Sequence, residues 1–260
     1  MRLNGKIGLV TAAGSGMGRA GALRFAQEGA AVGVADVNAE AVERVVADIV
    51  KAGGRATGII ADLRQDEAAR RIVKETAAAF GGLDFVWNHV GHPGPAAVEG
   101  VNWADYEMAM DLNLRSVMVT TEAAIPELRA RGGGALLFTS SVSGLVGSRM
   151  SPIYSAAKFG VIGFTKALAI RLAPENIRVN ALCPGPTDTP MLRVFVKRPD
   201  QPGTEGLDVE ELIYKRQSRV PMGRPAKPEE IANAALFLLS DEASYVTGVA
   251  FPVDGGATAG

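Results

Sequence analysis

Tyr154 and Lys158 stand four residues apart in "YSAAK", inside the otherwise apolar stretch "RMSPIYSAAKFGVIGFTKALA". On a helix, residues i and i+4 share one face, so this phenol and this ammonium can reach the same site. A free phenol has a pKa of about 10 and is a weak base near neutrality. A nearby cation favours the phenolate and lowers that value. Such a pair can take the proton of an alcohol, or give one to a forming alkoxide. Ser151-Pro152 reads as the start of this helix, with serine as cap and proline in the first turn.

A second group of residues could hold an anionic ligand. "VTAAGSGMGRAGALRFAQEGA" passes from strand to helix through Gly14, Gly16 and Gly18. Gly14 and Gly16 let the backbone turn and approach a ligand, and Gly18 lets the helix pack on the strand. The free N–H groups of that helix start, around Ser15 and Met17, then face a pyrophosphate. Eighteen residues beyond Gly18, the next strand ends in Asp36. A carboxylate there accepts hydrogen bonds from ribose hydroxyls and repels a 2′-phosphate. Ser15 and Val37 are not basic, so the pattern favours NAD over NADP. The plainer role for Asp36 is a cap on the following helix.

The elements that must position these groups alternate along the chain. Short aliphatic runs predict strands at "IGLVTA", "AVGVAD", "RATGIIAD", "DFVWNHV", "GALLFTSS", "IRVNALCPG" and "GVAFPVDGG". Helical patterns fall at 17–28, 39–52, 66–80, 103–131, 152–173 and 228–239. Near-continuous apolar strands mark a parallel sheet covered on both faces. The expectation is an α/β fold: one doubly wound Rossmann-type domain over 1–260, with a seven-stranded parallel sheet flanked by helices on both faces. A charged segment centred on "KRPDQPGTEG" breaks this rhythm and reads as a mobile lid over a site, at about 190–220.

Composition removes several classes of function. The formal net charge is −1 with no basic block, which argues against nucleic-acid binding. Cys183 is the only cysteine, so no intrachain disulfide can form, and a cytoplasmic setting fits. His89 and His92 are the only histidines, too few for a metal site of three or four ligands. The N-terminus is too short and glycine-rich for a signal peptide, and no uninterrupted apolar run reaches membrane-spanning length.

Taken together, these residues resemble the short-chain dehydrogenase/reductase family over essentially the whole chain. Thr11, Gly16 and Gly18 match its Thr-Gly-x-x-x-Gly-x-Gly motif, with Ala12 in place of the first glycine. A methyl is tolerated there if the backbone dihedrals are ordinary. Asp62-Leu63 resembles the family's pair beside the adenine. "NHVG" resembles its Asn-Asn-Ala-Gly, with Asn88 and Gly91 matching while His89 and Val90 depart. "PGPTDT" resembles its turn beside the nicotinamide, through Pro184, Gly185, Thr187 and Thr189.

The resemblance implies a catalytic set of Asn113, Ser141, Tyr154 and Lys158. Ser141 would polarise the carbonyl oxygen, its neighbour Ser140 remaining open as the alternative. Asn113 would hold a proton-relaying water, and Lys158 would also bind the nicotinamide ribose. The implied activity is hydride transfer between NAD(H) and a small-molecule secondary alcohol or ketone. Alternatives are an NADPH-dependent 3-oxoacyl-carrier-protein reductase and a non-catalytic cofactor-binding scaffold. The helix after Lys158 is apolar nearly all round, and the family implies a homo-oligomer, dimer or tetramer, built on it. Pocket walls are expected from Gly94, Val142, Leu145, Val146 and Met150, and from Met191, Leu192, Val194 and Phe195. His92 and Arg149 are candidate polar handles, more simply read as solvated loop residues.

Overall fold

The computed structural model describes residues 1–198, 200–201, 203–204, 206–218 and 220–260. Pro199, Pro202, Glu205 and Arg219, all within the expected lid, lie outside the described residues. The strands are β1 (Ile7–Thr11), β2 (Ala31–Asp36), β3 (Arg55–Ile60), β4 (Phe85–Asn88), β5 (Gly134–Thr139), β6 (Ile177–Pro184) and β7 (Ala250–Val253). They form one seven-stranded sheet in the order β3-β2-β1-β4-β5-β6-β7, parallel at every pairing. The order reverses between β1 and β4, and an open α/β sheet binds its ligand at that switch point.

Why the strands read as unbroken apolar runs is plain from their neighbours. Val10, Trp87 and Leu137 point into one core, with Phe25, Val45 and Leu236. Leu9, Val86 and Leu136 point into the other, with Ile72, Leu128 and Val161. Successive side chains face opposite sides, and both sides are covered. Helices α1 (Gly16–Gln27), α2 (Ala39–Lys51) and α9 (Pro228–Leu239) supply the first cover. The second comes from α3 (Asp66–Phe80), α5 (Ser116–Ala130) and α6 (Pro152–Leu172).

Two elements differ from the sequence expectation. The helix expected over 103–131 is broken into α4 (Trp103–Met110), a π turn (Asp111–Arg115) and α5. The region about 190–220 holds two helices, α7 (Pro190–Val196) and α8 (Val209–Gln217), which pack through Leu192, Val196 and Ile213. The stretch Pro152–Glu175 passes for a membrane-crossing helix by length and mean hydropathy, 1.3, although Lys158, Lys166 and Arg171 interrupt it, so no uninterrupted apolar run of that length is present in it. Its inward face buries Tyr154, Lys158 and Thr165, and it packs on β6. It is therefore read as a cover helix of the sheet.

Candidate active site

The candidate cofactor residues gather along the C-terminal edge of the sheet, at the ends of β1, β2, β3, β4 and β6. At the end of β1, Gly14 donates its amide to Asp36 Oδ2 at 2.9 Å, while Asp36 Oδ1 accepts from Asn38 at 3.0 Å. The cap of α2 is Asn38, which accepts from Ala41. Asp36 thus ties the glycine loop to β2. Ser15 is the N-cap of α1 but makes no side-chain cap, leaving the helix start to backbone N–H groups. A Cβ on Gly18 would lie 2.1 Å from the Ala12 carbonyl oxygen, so only glycine allows this approach.

Ala12 itself has φ of +50°. The condition of ordinary dihedrals is not met: the methyl sits in left-handed space, where an L-residue costs about 1–2 kcal/mol.

The end of β4 is pinned by Thr11, whose hydroxyl accepts from His89 N at 2.8 Å and Val90 N at 3.2 Å. Asn88 is buried and reaches Thr121 at 3.4 Å. Thr139, at the end of β5, accepts from Trp87 Nε1 at 2.9 Å and meets His89 Nδ1 at 2.9 Å. The hydroxyl offers a second lone pair as well as its proton, so the direction of the bond to Nδ1 follows the imidazole tautomer. Burial drives the His89 pKa down to about 3, so the ring is neutral.

Two expected cofactor contacts are already engaged within the protein. Asp62 is held by Arg64, with Nε 3.0 Å from both carboxylate oxygens, and this bond lowers its pKa. The Leu63 side chain points into the core beside Ala35 and Ile59. On the other side of the cleft, Pro184 ends β6, Thr187 Oγ1 donates to Gly185 O at 3.1 Å, and Thr189 Oγ1 donates to Thr187 O at 3.3 Å. A Cβ on Gly16 would meet Thr189 Cγ2 at 3.1 Å. The two loops therefore close on one another across the cleft.

The candidate catalytic residues converge beside it. Ser141 accepts from Ser143 N at 3.1 Å and hydrogen-bonds the Tyr154 phenol. Ser140 instead donates to the Lys158 carbonyl at 2.9 Å and is buried. Lys158 Nζ donates to Thr139 O at 2.9 Å and stands over the Tyr154 ring, 5.5 Å from its centre. Asn113 lies within the π turn, fully buried. Its amide donates to His92 O and Ala109 O at 2.8 Å and its oxygen accepts from His92 N at 3.2 Å. A Cβ on Gly91 would fall 3.1 Å from Asn113 Oδ1 and 3.5 Å from Lys158 Nζ. Glycine there lets the loop pass close to both groups.

Burial shifts the two ionisable groups toward neutrality. Desolvation pushes Tyr154 up to about 12, opposed by the Ser141 hydrogen bond and by Arg216 and Arg198. It pushes Lys158 down to about 7. The expected lowering of the phenol by Lys158 is not what the protein alone provides; loss of water outweighs it.

A cavity of about 400 Å³ opens onto these groups. Val142, Val146, Met150, Met191, Leu192 and Phe195 line it with Ser141, Tyr154 and Lys158. Val194 instead points to solvent, and Leu145 packs against Ile162, Ala181 and Cys183. His92 turns back to accept from Gly94 N at 3.1 Å and is no cavity handle, whereas Arg149 does line the cavity.

Arg198 escaped the sequence reading. A cation within "KRPDQPGTEG" reads as solvated, yet this one is 4 % exposed. It donates to the carbonyls of Pro93, Gly94 and Met150 and to Ser151 Oγ. Ser151 is accordingly the N-cap of α6 without a side-chain cap, its hydroxyl serving Arg198. Asp200 adds a second tie, accepting from Ala96 N at 2.7 Å and Ala97 N at 3.0 Å.

The comparisons agree with this architecture. The family model described as "Enoyl-(Acyl carrier protein) reductase" matches residues 11–258. A cyclohexanol dehydrogenase from Acinetobacter sp. (strain SE19) is 36% identical, covering 99% of this chain and 96% of its own. The crystal structure of levodione reductase superposes with a TM-score of 0.93 at 32% identity, over 99% of each chain. A 3-ketoacyl-(acyl-carrier-protein) reductase from Brucella melitensis, solved with NADH, gives a TM-score of 0.87 at 35% identity, over 98% of this chain and 99% of that one.

Proposed function

The chain belongs to the short-chain dehydrogenase/reductase family, and from that premise we propose that it interconverts a secondary alcohol and a ketone with NAD(H), using Tyr154 as general acid and base. The observation that carries the reading is the meeting of Ser141, Tyr154 and Lys158 on one cavity at the strand ends. Proteins of this family are oxidoreductases that bind a nicotinamide cofactor, and relatives include alcohol dehydrogenases.

The residues of the cleft fit a dinucleotide. Gly14 to Gly18 leave room for a pyrophosphate against the N-terminus of α1. Asp36 offers its carboxylate to the adenosine ribose, which favours NAD. Asp62-Leu63, Asn88, Val90 and Gly91 would form one wall, and Pro184, Gly185, Thr187 and Thr189 the other. Bound there, the nicotinamide would accept or deliver the hydride.

Ser141 then holds the substrate oxygen, and Tyr154 takes or gives the hydroxyl proton. Lys158 orients the nicotinamide ribose and, when charged, favours the phenolate. Asn113 holds the 92–94 loop and, in this reading, the water that relays protons to Lys158. A single catalytic domain spans 1–260, with 190–220 as its lid. We also propose a homo-oligomer joined through α5 and α6, because Phe159, Ile170 and Met118 leave apolar surface exposed there. Light scattering would show a dimer or tetramer, and a monomer at all concentrations would refute it.

A panel of secondary alcohols and ketones, followed by NADH absorbance, tests the function. Turnover with preference for NAD(H) is the expected result. Preference for NADPH would favour an acyl-carrier-protein reductase. Cofactor binding without turnover of any substrate would leave only the scaffold.

A further inference from the structure

His89 stands where the family's Asn-Asn-Ala-Gly pattern has its second asparagine, and the proposed reaction leaves it without a role. Its ring is fixed from three directions. Nδ1 meets Thr139 Oγ1 at 2.9 Å. The indole of Trp87 tilts against it, with ring centres 4.7 Å apart. Cδ2 closes on the first turn of α1, where a Cβ on Gly18 would fall 3.0 Å from it. The remaining polar atom is Nε2, and among the described residues no hydrogen bond reaches it. Nor is Nε2 sealed into the core. Among the described residues, the buried side-chain atoms without a partner are Arg24 Nε and Thr120 Oγ1. His89 instead lines the cavity, together with Met17, Gly91 and Thr189.

A half-buried nitrogen with no partner costs free energy that a ligand can recover. Packing against Trp87 needs a ring but no nitrogen. The hydroxyls across the cleft are already engaged, Thr187 Oγ1 with Gly185 O and Thr189 Oγ1 with Thr187 O. The neutral imidazole carries one proton, so one nitrogen donates and the other accepts. The loop against which Cδ2 packs is the one read above as facing the cofactor diphosphate, and a diphosphate oxygen only accepts. With Nε2 donating, Nδ1 is bare and takes the Thr139 hydroxyl proton, while Trp87 Nε1 donates to that same hydroxyl at 2.9 Å. Trp87, Thr139 and His89 then each donate once, in one direction, and bonds in such a chain polarise one another.

We propose that His89 is a cofactor-binding residue whose Nε2–H is donated to a diphosphate oxygen of the dinucleotide. Trp87 and Thr139 are its positioning residues: they set the tautomer and the angle of the ring. The proposal rests on reading the cleft as a dinucleotide site and does not depend on turnover.

Two measurements test it. The chain has two histidines, so NMR of protein labelled in the histidine ring nitrogens, beside His92→Gln, assigns both rings. In the NADH complex His89 should carry its proton on Nε2, and that proton should move downfield from its place in the free protein; adenosine alone should not move it. A proton on Nδ1, or an Nε2 proton that NADH leaves in place, overturns the proposal. In fluorescence titration, His89→Phe keeps a ring against Trp87 and lacks the donor. It should bind NADH about tenfold or more weakly, as loss of a hydrogen bond to a charged group warrants. His89→Gln, whose amide can place a donor where Nε2 lies, should return to within about threefold of the parent. Adenosine affinity should be the same in all three. A purely structural role for the ring would weaken adenosine and NADH together, and that result, or NADH affinity unchanged in His89→Phe, overturns the proposal. Should a variant fail to fold, the NMR of the parent decides. A parent that binds no dinucleotide overturns the reading of the cleft and the proposal with it; a parent that binds NADH without engaging His89 overturns the proposal alone.

Discussion

The ammonium nitrogen of Lys158 stands over the Tyr154 ring, 5.5 Å from its centre, and gives its hydrogen bond to the Thr139 carbonyl. Both groups are buried, and burial moves them in opposite directions, Tyr154 up to about 12 and Lys158 down to about 7. Near neutral pH the phenol is therefore protonated, and Lys158 sits at its midpoint. A positive nicotinamide and ribose hydroxyls at Lys158 would favour the phenolate and the ammonium, which couples proton transfer to cofactor binding.

The cofactor-free protein should show this in its stability. Below pH 7 Lys158 is charged in the folded and unfolded chain alike, and its burial cost is present in full. Between about 7 and 10.5 the unfolded chain keeps a proton that the folded chain has lost. Stability contributed by this group then rises with pH, by at most about 1.4 kcal/mol per unit. Tyr154 acts above 10 with the opposite sign: the folded form keeps its proton to about 12, so stability falls. Urea unfolding at pH 7, 8 and 9 should show the parent gaining on Lys158→Met as pH rises. Parallel curves would mean that Lys158 is not held near neutrality.

Ala12 should be a point of strain. With φ of +50°, replacement by glycine relieves left-handed backbone while loosening the unfolded chain, for a net gain of about 0.5–1 kcal/mol. A higher denaturation midpoint in Ala12→Gly is the expected outcome; an equal or lower one contradicts the strain.

Asp36 is both a loop tie and a charge. Asp36→Asn keeps an acceptor for the Gly14 amide and removes the charge that repels a 2′-phosphate. The ratio of kcat/KM for NADH over NADPH should fall by about tenfold or more. An unchanged ratio would leave Asp36 a purely structural role.

Asp200 should hold the lid down through its two bonds from Ala96 and Ala97. Removing them in Asp200→Ala should raise KM about tenfold while kcat changes less, since both bonds are exposed and together contribute only about 1–2 kcal/mol. A KM equal to that of the parent would show that this tie does not close the site.

What could be read from the chain follows from where local pattern decides structure. The strands were legible because Leu9 and Val10, or Leu136 and Leu137, fill cores on opposite faces and so leave uninterrupted apolar runs. The glycine loop was legible because Gly18 admits no Cβ. The π turn at Asp111–Arg115 was not, since an i→i+5 bond leaves no periodicity; a buried Asn113 inside a helix was its one trace. Burial of Arg198 was equally hidden, because its acceptors are backbone carbonyls from loops far away in sequence. The opposite shifts of Tyr154 and Lys158 depend on how completely water is removed, which spacing along a helix does not encode.

The central claim is that the Tyr154 hydroxyl moves the substrate proton. Steady-state turnover of Tyr154→Phe, beside titration of its NADH affinity, tests it most directly. The account predicts a kcat lowered by about 10²–10⁴-fold with NADH still bound. A variant that binds NADH and turns over at a rate close to the parent's would contradict it.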